Sequence, residues 1–133
     1  MYAFYDTQSQ RGNHLKLNEV EIGKNVSDLV VRVVSVAPPR IVRARGGRKT
    51  QLTEVLVADH TGTTILSLWG FGQGAALSAG LVIKITDGWA KEWQGKMQLS
   101  LGHSGRFEII EDDESLPSIS ELRKMAPTDE TSE

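Results

Sequence analysis

Apolar and polar side chains alternate with period two through the middle of this chain, and the alternation divides it into short strands. Over residues 25–37, Leu29, Val31 and Val33 alternate with Val30, Arg32 and Val34, which predicts one long strand with a single buried face, ended by Pro38 and Pro39. A second strand is predicted over 51–58. Asp59, His60, Thr61 and Gly62 supply turn chemistry into a third over 63–69, with Leu66 and Leu68 on one face and Ile65, Ser67 and Trp69 on the other. The next segment, GFGQGAALSAG, has too many glycines for a strand and suits one short helix or turn. A fourth strand over 81–86 turns Leu81, Ile83 and Ile85 inward. A fifth over 96–101 does the same with Met97, Leu99 and Leu101, and residues 106–110 extend or follow it. Two connections stand out. Residues 40–50 read as a basic hairpin-like loop turning at Gly46 and Gly47, where positive backbone angles cost little. Residues 88–95 read as an aromatic loop.

Five strands with a short helix or turn between the third and fourth is the order of an OB-fold, an all-β, five-stranded Greek-key barrel. Such a barrel has a binding face on strands two and three, flanked by the loops after strands one and four. Those loops here are the basic 40–50 and aromatic 88–95 segments. The expected organisation is an N-terminal arm over 1–14, the barrel over 15–111 and an acidic flexible tail over 112–133.

Composition narrows the class. A chain of 133 residues builds one modest core. Its 39% hydrophobic and 24% charged content is that of a globular protein, and no apolar run approaches the roughly 20 residues that span a bilayer. No membrane partner is expected, and the first residues do not read as a secretory signal. The absence of cysteine excludes disulfides and thiolate chemistry and fits a cytoplasmic, nucleoid-associated setting. The formal charge of −2 hides a split: residues 1–110 carry 13 Lys+Arg and 9 Asp+Glu, net +4, while 111–133 carry 2 and 8, net −6. The polar tail reads as solvated, although 118–125 holds an N-cap candidate and an Ile119, Leu122 pairing suited to a transient or partner-induced helix.

A basic body with clustered tryptophans has a physical meaning. Single-stranded nucleic acid presents flat base faces and a charged backbone, so a general binder needs aromatic platforms interleaved with cations. Trp69 on the third strand and Trp89 and Trp93 in the loop are the platforms. Arg43, Arg45, Arg48 and Lys49 in the basic loop, with Arg32, Lys84, Lys91 and Lys96 around the barrel, are the cations, and Ser67 and Gln98 are polar candidates on the same strands. Other readings stay open at this point. Trp69 also suits a half-buried plug at a strand end, and the basic loop also suits a solvated turn.

Enzymatic chemistry finds no support. His14, His60 and His103 are scattered, with no paired carboxylate or nucleophile beside them, and GFGQG lacks the Gly-Lys-Ser/Thr ending of a phosphate loop. No cofactor, metal site or catalytic residue is predicted. Single-stranded DNA is the expected ligand. RNA is an alternative that would be distinguished by contact with the 2′-hydroxyl. A second alternative is an interaction subunit whose aromatic face docks a protein.

The segments VADHTG, LSLWG and GLVIKITDGWAKEWQGKMQLSLG, in that order within residues 54–102, resemble the simple single-OB single-stranded DNA-binding proteins of archaea. They are also similar to the B subunits of the human sensor-of-single-stranded-DNA complex. The resemblance reaches back to about residue 15. It implies an OB-fold that binds and protects single strands during replication, recombination and repair, with Trp69, Trp89 and Trp93 stacking on bases. Relatives often carry phenylalanine or tyrosine at the last two positions. The human proteins place another aromatic where this chain has Ser100, so a fourth stacking contact is not expected there. The resemblance further implies a tail that recruits repair or replication proteins; the glycine- and arginine-rich tail of many archaeal relatives is missing. The aromatic N-terminal arm (Tyr2, Phe4, Tyr5) has no counterpart in the family.

Overall fold

The structure is a computed structural model that describes residues 14–43, 45–101, 104–112 and 116–125, with the backbone alone at Arg45, Arg123 and Met125. The predicted arm over 1–13 and the acidic residues 126–133 lie outside the described residues. The strands are β1 (Asn25–Val26), β2 (Leu29–Val36), β3 (Arg40–Arg43), β4 (Lys49–Asp59), β5 (Gly62–Trp69), β6 (Val82–Thr86), β7 (Gly88–Trp93), β8 (Lys96–Leu101) and β9 (Arg106–Ile110), followed by one helix, α1 (Ile119–Met125). They form one sheet in the order β1-β7-β8-β5-β4-β2-β6-β9, with β3 paired to β4. All pairings are antiparallel except β5 with β8. The sheet curls, because β6 and β7 lie towards opposite ends of this path yet are separated only by Asp87, whose φ of 56° turns the chain. This is an all-β OB-fold.

The five expected strands are thus subdivided. The first breaks at Asp28, where φ is 61°, and the fourth continues past Asp87 into β7. The basic loop holds β3, which pairs with β4 across Gly46 and Gly47, both at φ 84°. The glycine-rich segment after β5 is a succession of turns with no helix.

The core is the inward half of each alternation. Leu29, Val31, Val33, Val55, Val57, Leu66, Leu68, Ile83, Ile85, Leu99 and Leu101 form one buried cluster, joined by Leu17 from the N-terminal side. Buried Asp59 fastens that side: its carboxylate accepts the Leu17 N–H at 2.8 Å and the Thr61 N–H and Oγ1 at 2.7 and 2.6 Å.

The outer surface of β2 and β6 corrects two expectations. Arg32, assigned above to the nucleic acid, is 4% exposed. Its Nε donates to the Pro117 carbonyl at 2.6 Å, Nη1 to the Gly80 carbonyl at 2.8 Å and Nη2 to Asp112 Oδ1 at 2.6 Å. Three of its five N–H donors are engaged inside the fold, and burial keeps the side chain from an external phosphate. Beside it, Val30, Val82 and Leu116 form a second buried cluster against Ile110, so β2 is buried on both faces. Within the tail expected to be solvated over 112–133, residues 116–125 therefore lie on the barrel, with Leu122 also buried, and the 118–125 stretch suited to a transient or partner-induced helix holds α1. In α1, Ser118 Oγ accepts the Glu121 N–H at 3.2 Å and Glu121 Oε1 accepts the Ser118 N–H at 2.8 Å, a reciprocal cap. That backbone donor holds the Glu121 carboxyl below the ordinary carboxylate range. Among the described residues no helix is long and apolar enough to cross a membrane.

Candidate nucleic-acid interface

The outward half of the alternation on β5, β8 and β7 carries the aromatic chemistry. Residues 88–95, expected as a loop, form strand β7 and a two-residue turn to β8 at Gln94 and Gly95, with φ 53° and 81°. Pairing fixes the side-chain directions. Ser67 lies opposite Ser100, Ser100 opposite Trp89, Gln98 opposite Lys91 and Lys96 opposite Trp93. Strand alternation then sends Trp89, Lys91 and Trp93 outward, while Ala90 packs into the core at 0% exposure. Small residues on the inner side let this strand lie close to the barrel: a Cβ at Gly88 would approach Ile85 Cγ2 to 3.0 Å and Leu101 Cδ2 to 3.1 Å.

The tryptophans differ in how they are held. Trp89 and Trp93 are 49% and 57% exposed, large apolar rings left in water. Trp69, at the end of β5, is half-buried, and its Nε1–H donates to Ser100 Oγ at 3.0 Å. Ser100, the position where an aromatic was found wanting, thus orients the Trp69 ring while lying directly opposite Trp89. Lys91 Nζ sits 5.9 Å from the Trp69 ring centroid, within cation–π range, so a cation and two rings share one patch. The half-burial of Trp69 leaves part of the ring accessible on the outward face.

The polar candidates separate into groups. Lys91, Lys96 and Gln98 share the outward face with the tryptophans. Ser67 shares it too but is 3% exposed, so it is floor and not a contact surface. Arg43 and Lys49 lie directly opposite each other on the β3–β4 arm, and exposed Arg48 precedes Lys49. Like charges facing across a ladder are destabilising, and residues 40–51 contain no acid to offset them. Arg43 Nη1 also donates to the Gly47 carbonyl at 3.2 Å, bracing the turn. The Arg45 side chain lies outside the described residues. Lys84 is not brought to the site: it stands on β6 between Val30 and Glu108, with Asp28 4.0 Å from its Nζ.

Reading from sequence missed Arg40. It lies opposite Leu52, which in turn lies opposite Trp69, so it continues the row that Trp69 ends; its Nη2 is 3.7 Å from Glu54 Oε1. The period-two pattern extended through 40–43 was the available signal.

An OB-fold that carries exposed tryptophans and a lysine over a ring on its outward face, next to an arm rich in arginine and lysine, has the surface chemistry of a nucleic-acid-binding barrel. Comparison with known proteins gives the particular family: residues 15–109 match the single-stranded DNA binding protein Ssb-like OB-fold family, and the chain belongs to it. It is 30% identical over 101 residues to the single-stranded DNA binding protein Ssb of Saccharolobus solfataricus, a match that takes in 76% of this chain and 66% of that protein's length. In fold it is similar to the replication factor A related protein of Methanobacterium thermoautotrophicum, with a TM-score of 0.63 and 23% identity over 76% of this chain and 94% of the other. It is also similar in fold to a chain of a replication protein A heterotrimer solved bound to single-stranded DNA, with a TM-score of 0.65 and 20% identity over 88% of this chain and 28% of the other.

Proposed function

We infer that this protein is a non-enzymatic binder of single-stranded DNA, largely indifferent to base sequence, that shields exposed strands during replication, recombination and repair. The observation that carries the reading is the outward row of Trp69, Trp89 and Trp93 around Ser100, with Lys91 over one ring. The related Saccharolobus protein bears the name of a single-stranded DNA binding protein. Bases stack on the three rings, and Lys91, Lys96, Gln98 and the arm cations contact the backbone. Each stacked base contributes roughly 1–3 kcal/mol, so three platforms supply about 3–9 kcal/mol before ordering costs, without any base-specific hydrogen bond. Because every base has a π face, this mode tolerates any sequence.

The test is quenching of tryptophan fluorescence by oligothymidine over a series of salt concentrations, with duplex DNA and an oligouridine of equal length as controls. Strong quenching by the DNA single strand, little by duplex, and a log–log salt slope of about −0.7 per phosphate contact are expected. Equal or tighter binding of oligouridine would transfer the reading to RNA. No quenching by either strand would overturn it.

A further inference from the structure

Among the described residues there are five aromatic side chains, and only Phe107 packs against the core. Three of the others are the tryptophans already placed. The fourth, Phe71, is 64% exposed, more than either Trp89 or Trp93. It lies two residues beyond Trp69 in a turn held against the arm. The Gly70 N–H donates to the Gln51 carbonyl at 2.8 Å, and the Gly72 N–H donates to Gln51 Oε1 at 3.1 Å. Gln51 is in turn opposite Ile41 on β3, itself 55% exposed. Phe71 and Ile41 therefore flank one residue at the root of the arm, and the same β3–β4 ladder presents Arg43 opposite Lys49, with Arg48 beside them. Two apolar side chains mostly in water, anchored next to cations that have no acid among residues 40–51, repeat the combination that marks the tryptophan face.

We propose that Phe71 is a further base-stacking platform, and that Phe71, Ile41, Arg43, Arg48 and Lys49 carry single-stranded nucleic acid past Trp69 and along the arm. The inference rests on the reading of the tryptophan face as a single-strand site and adds a second segment to it. The chemistry favours this occupant over a protein: exposed apolar side chains stand beside basic ones that have no acid among residues 40–51, and the segment is continuous along the chain with Trp69. The tryptophan face holds the first bases, and the arm is engaged only by a strand long enough to pass the end of β5.

Oligothymidines of about 5 and about 12 nucleotides, both within the range of one OB-fold site, separate the two segments. Phe71→Ala is expected to leave the shorter oligomer's affinity unchanged and to weaken the longer by about 5- to 150-fold, the loss of one stacked base. Phe71→Trp is expected to retain the longer oligomer's affinity and to add fluorescence quenching that only the longer oligomer produces. Arg43→Ala combined with Lys49→Ala should reduce the salt slope of the longer oligomer by about 0.7 per cation lost. An unchanged affinity of Phe71→Ala for the longer oligomer, while Trp89→Ala weakens both, would overturn this inference and leave the tryptophan site standing. Loss of neither oligomer on Trp89→Ala would remove the tryptophan reading itself, and this inference with it.

Discussion

Two outer faces of one barrel begin from the same kind of strand and end differently. On β2 and β6 the outward residues are Val30, Arg32 and Val82; on β5, β7 and β8 they include Trp69, Trp89, Lys91 and Gln98. Both faces pair apolar surface with cations. The first is covered by the chain itself: Leu116 joins Val30 and Val82, and the guanidinium of Arg32 is divided among Asp112, Pro117 and Gly80. Nothing among the described residues covers the second, where Trp89 and Trp93 stay about half in water. An arginine satisfied inside the fold is a stabilising clamp, whereas a lysine on a strand between two rings left in water belongs to the surface that the proposed function assigns to a ligand. The lesson is that residue type does not separate these roles. What separates them is whether another part of the chain has already supplied the partner.

Substitutions on the two faces should therefore fail in opposite ways. The largest effect belongs to the clamp. Arg32→Ala leaves the Pro117 and Gly80 carbonyls without their donor and should destabilise the fold by about 3 kcal/mol, read from the urea midpoint. Folded Arg32→Ala protein should bind oligothymidine as the parent does; a loss of affinity at unchanged stability would return Arg32 to the binding face. Next come Trp89→Ala and Trp93→Ala. Each should weaken single-strand binding by about 1–3 kcal/mol and change stability by no more than about 0.5 kcal/mol, since both rings are largely in solvent. A cooperative loss of stability instead would make these rings structural.

Smaller effects refine the contrast. Ser100→Ala removes the acceptor that orients Trp69 and should cost about 1 kcal/mol of affinity, detectable as a roughly fivefold rise in Kd, with a change in Trp69 emission before any DNA is added. Truncation after Met125 removes Asp129, Glu130 and Glu133 while keeping the clamp. If those carboxylates compete with DNA for the basic surface, affinity should rise by less than about 1 kcal/mol at low salt and not at all at high salt. Cutting at residue 112 would confuse the two faces, because it also removes the partners of Arg32.

Much of the barrel was legible because burial on one side of a strand imposes period two, and Leu66 and Leu68 against Ser67 and Trp69 record that directly. The turn at Gly46 and Gly47 was legible because both need positive φ. Strand β7 was not, since its inward residues are Gly88 and Ala90. The pattern there is small against large, chosen by proximity to Ile85 and Leu101, and it does not look like apolar against polar. The role of Arg32 was hidden for another reason. Two of its three partners are backbone carbonyls, 48 and 85 residues away, and every residue type offers a carbonyl. Ser100 was weighed only as a missing aromatic; its bond to Trp69 depends on the parallel register of β5 and β8, which no local pattern encodes.

The division between the two faces is tested most directly by nuclear magnetic resonance of the full chain titrated with oligothymidine, following backbone amides together with the three indole N–H signals. Shifts should appear at the indoles of Trp69, Trp89 and Trp93 and at the amides of β7 and β8, while Val30, Val82, Leu116 and the Arg32 side chain remain unmoved. Shifts concentrated around Arg32 and Leu116, with the indole signals unchanged, would contradict the account.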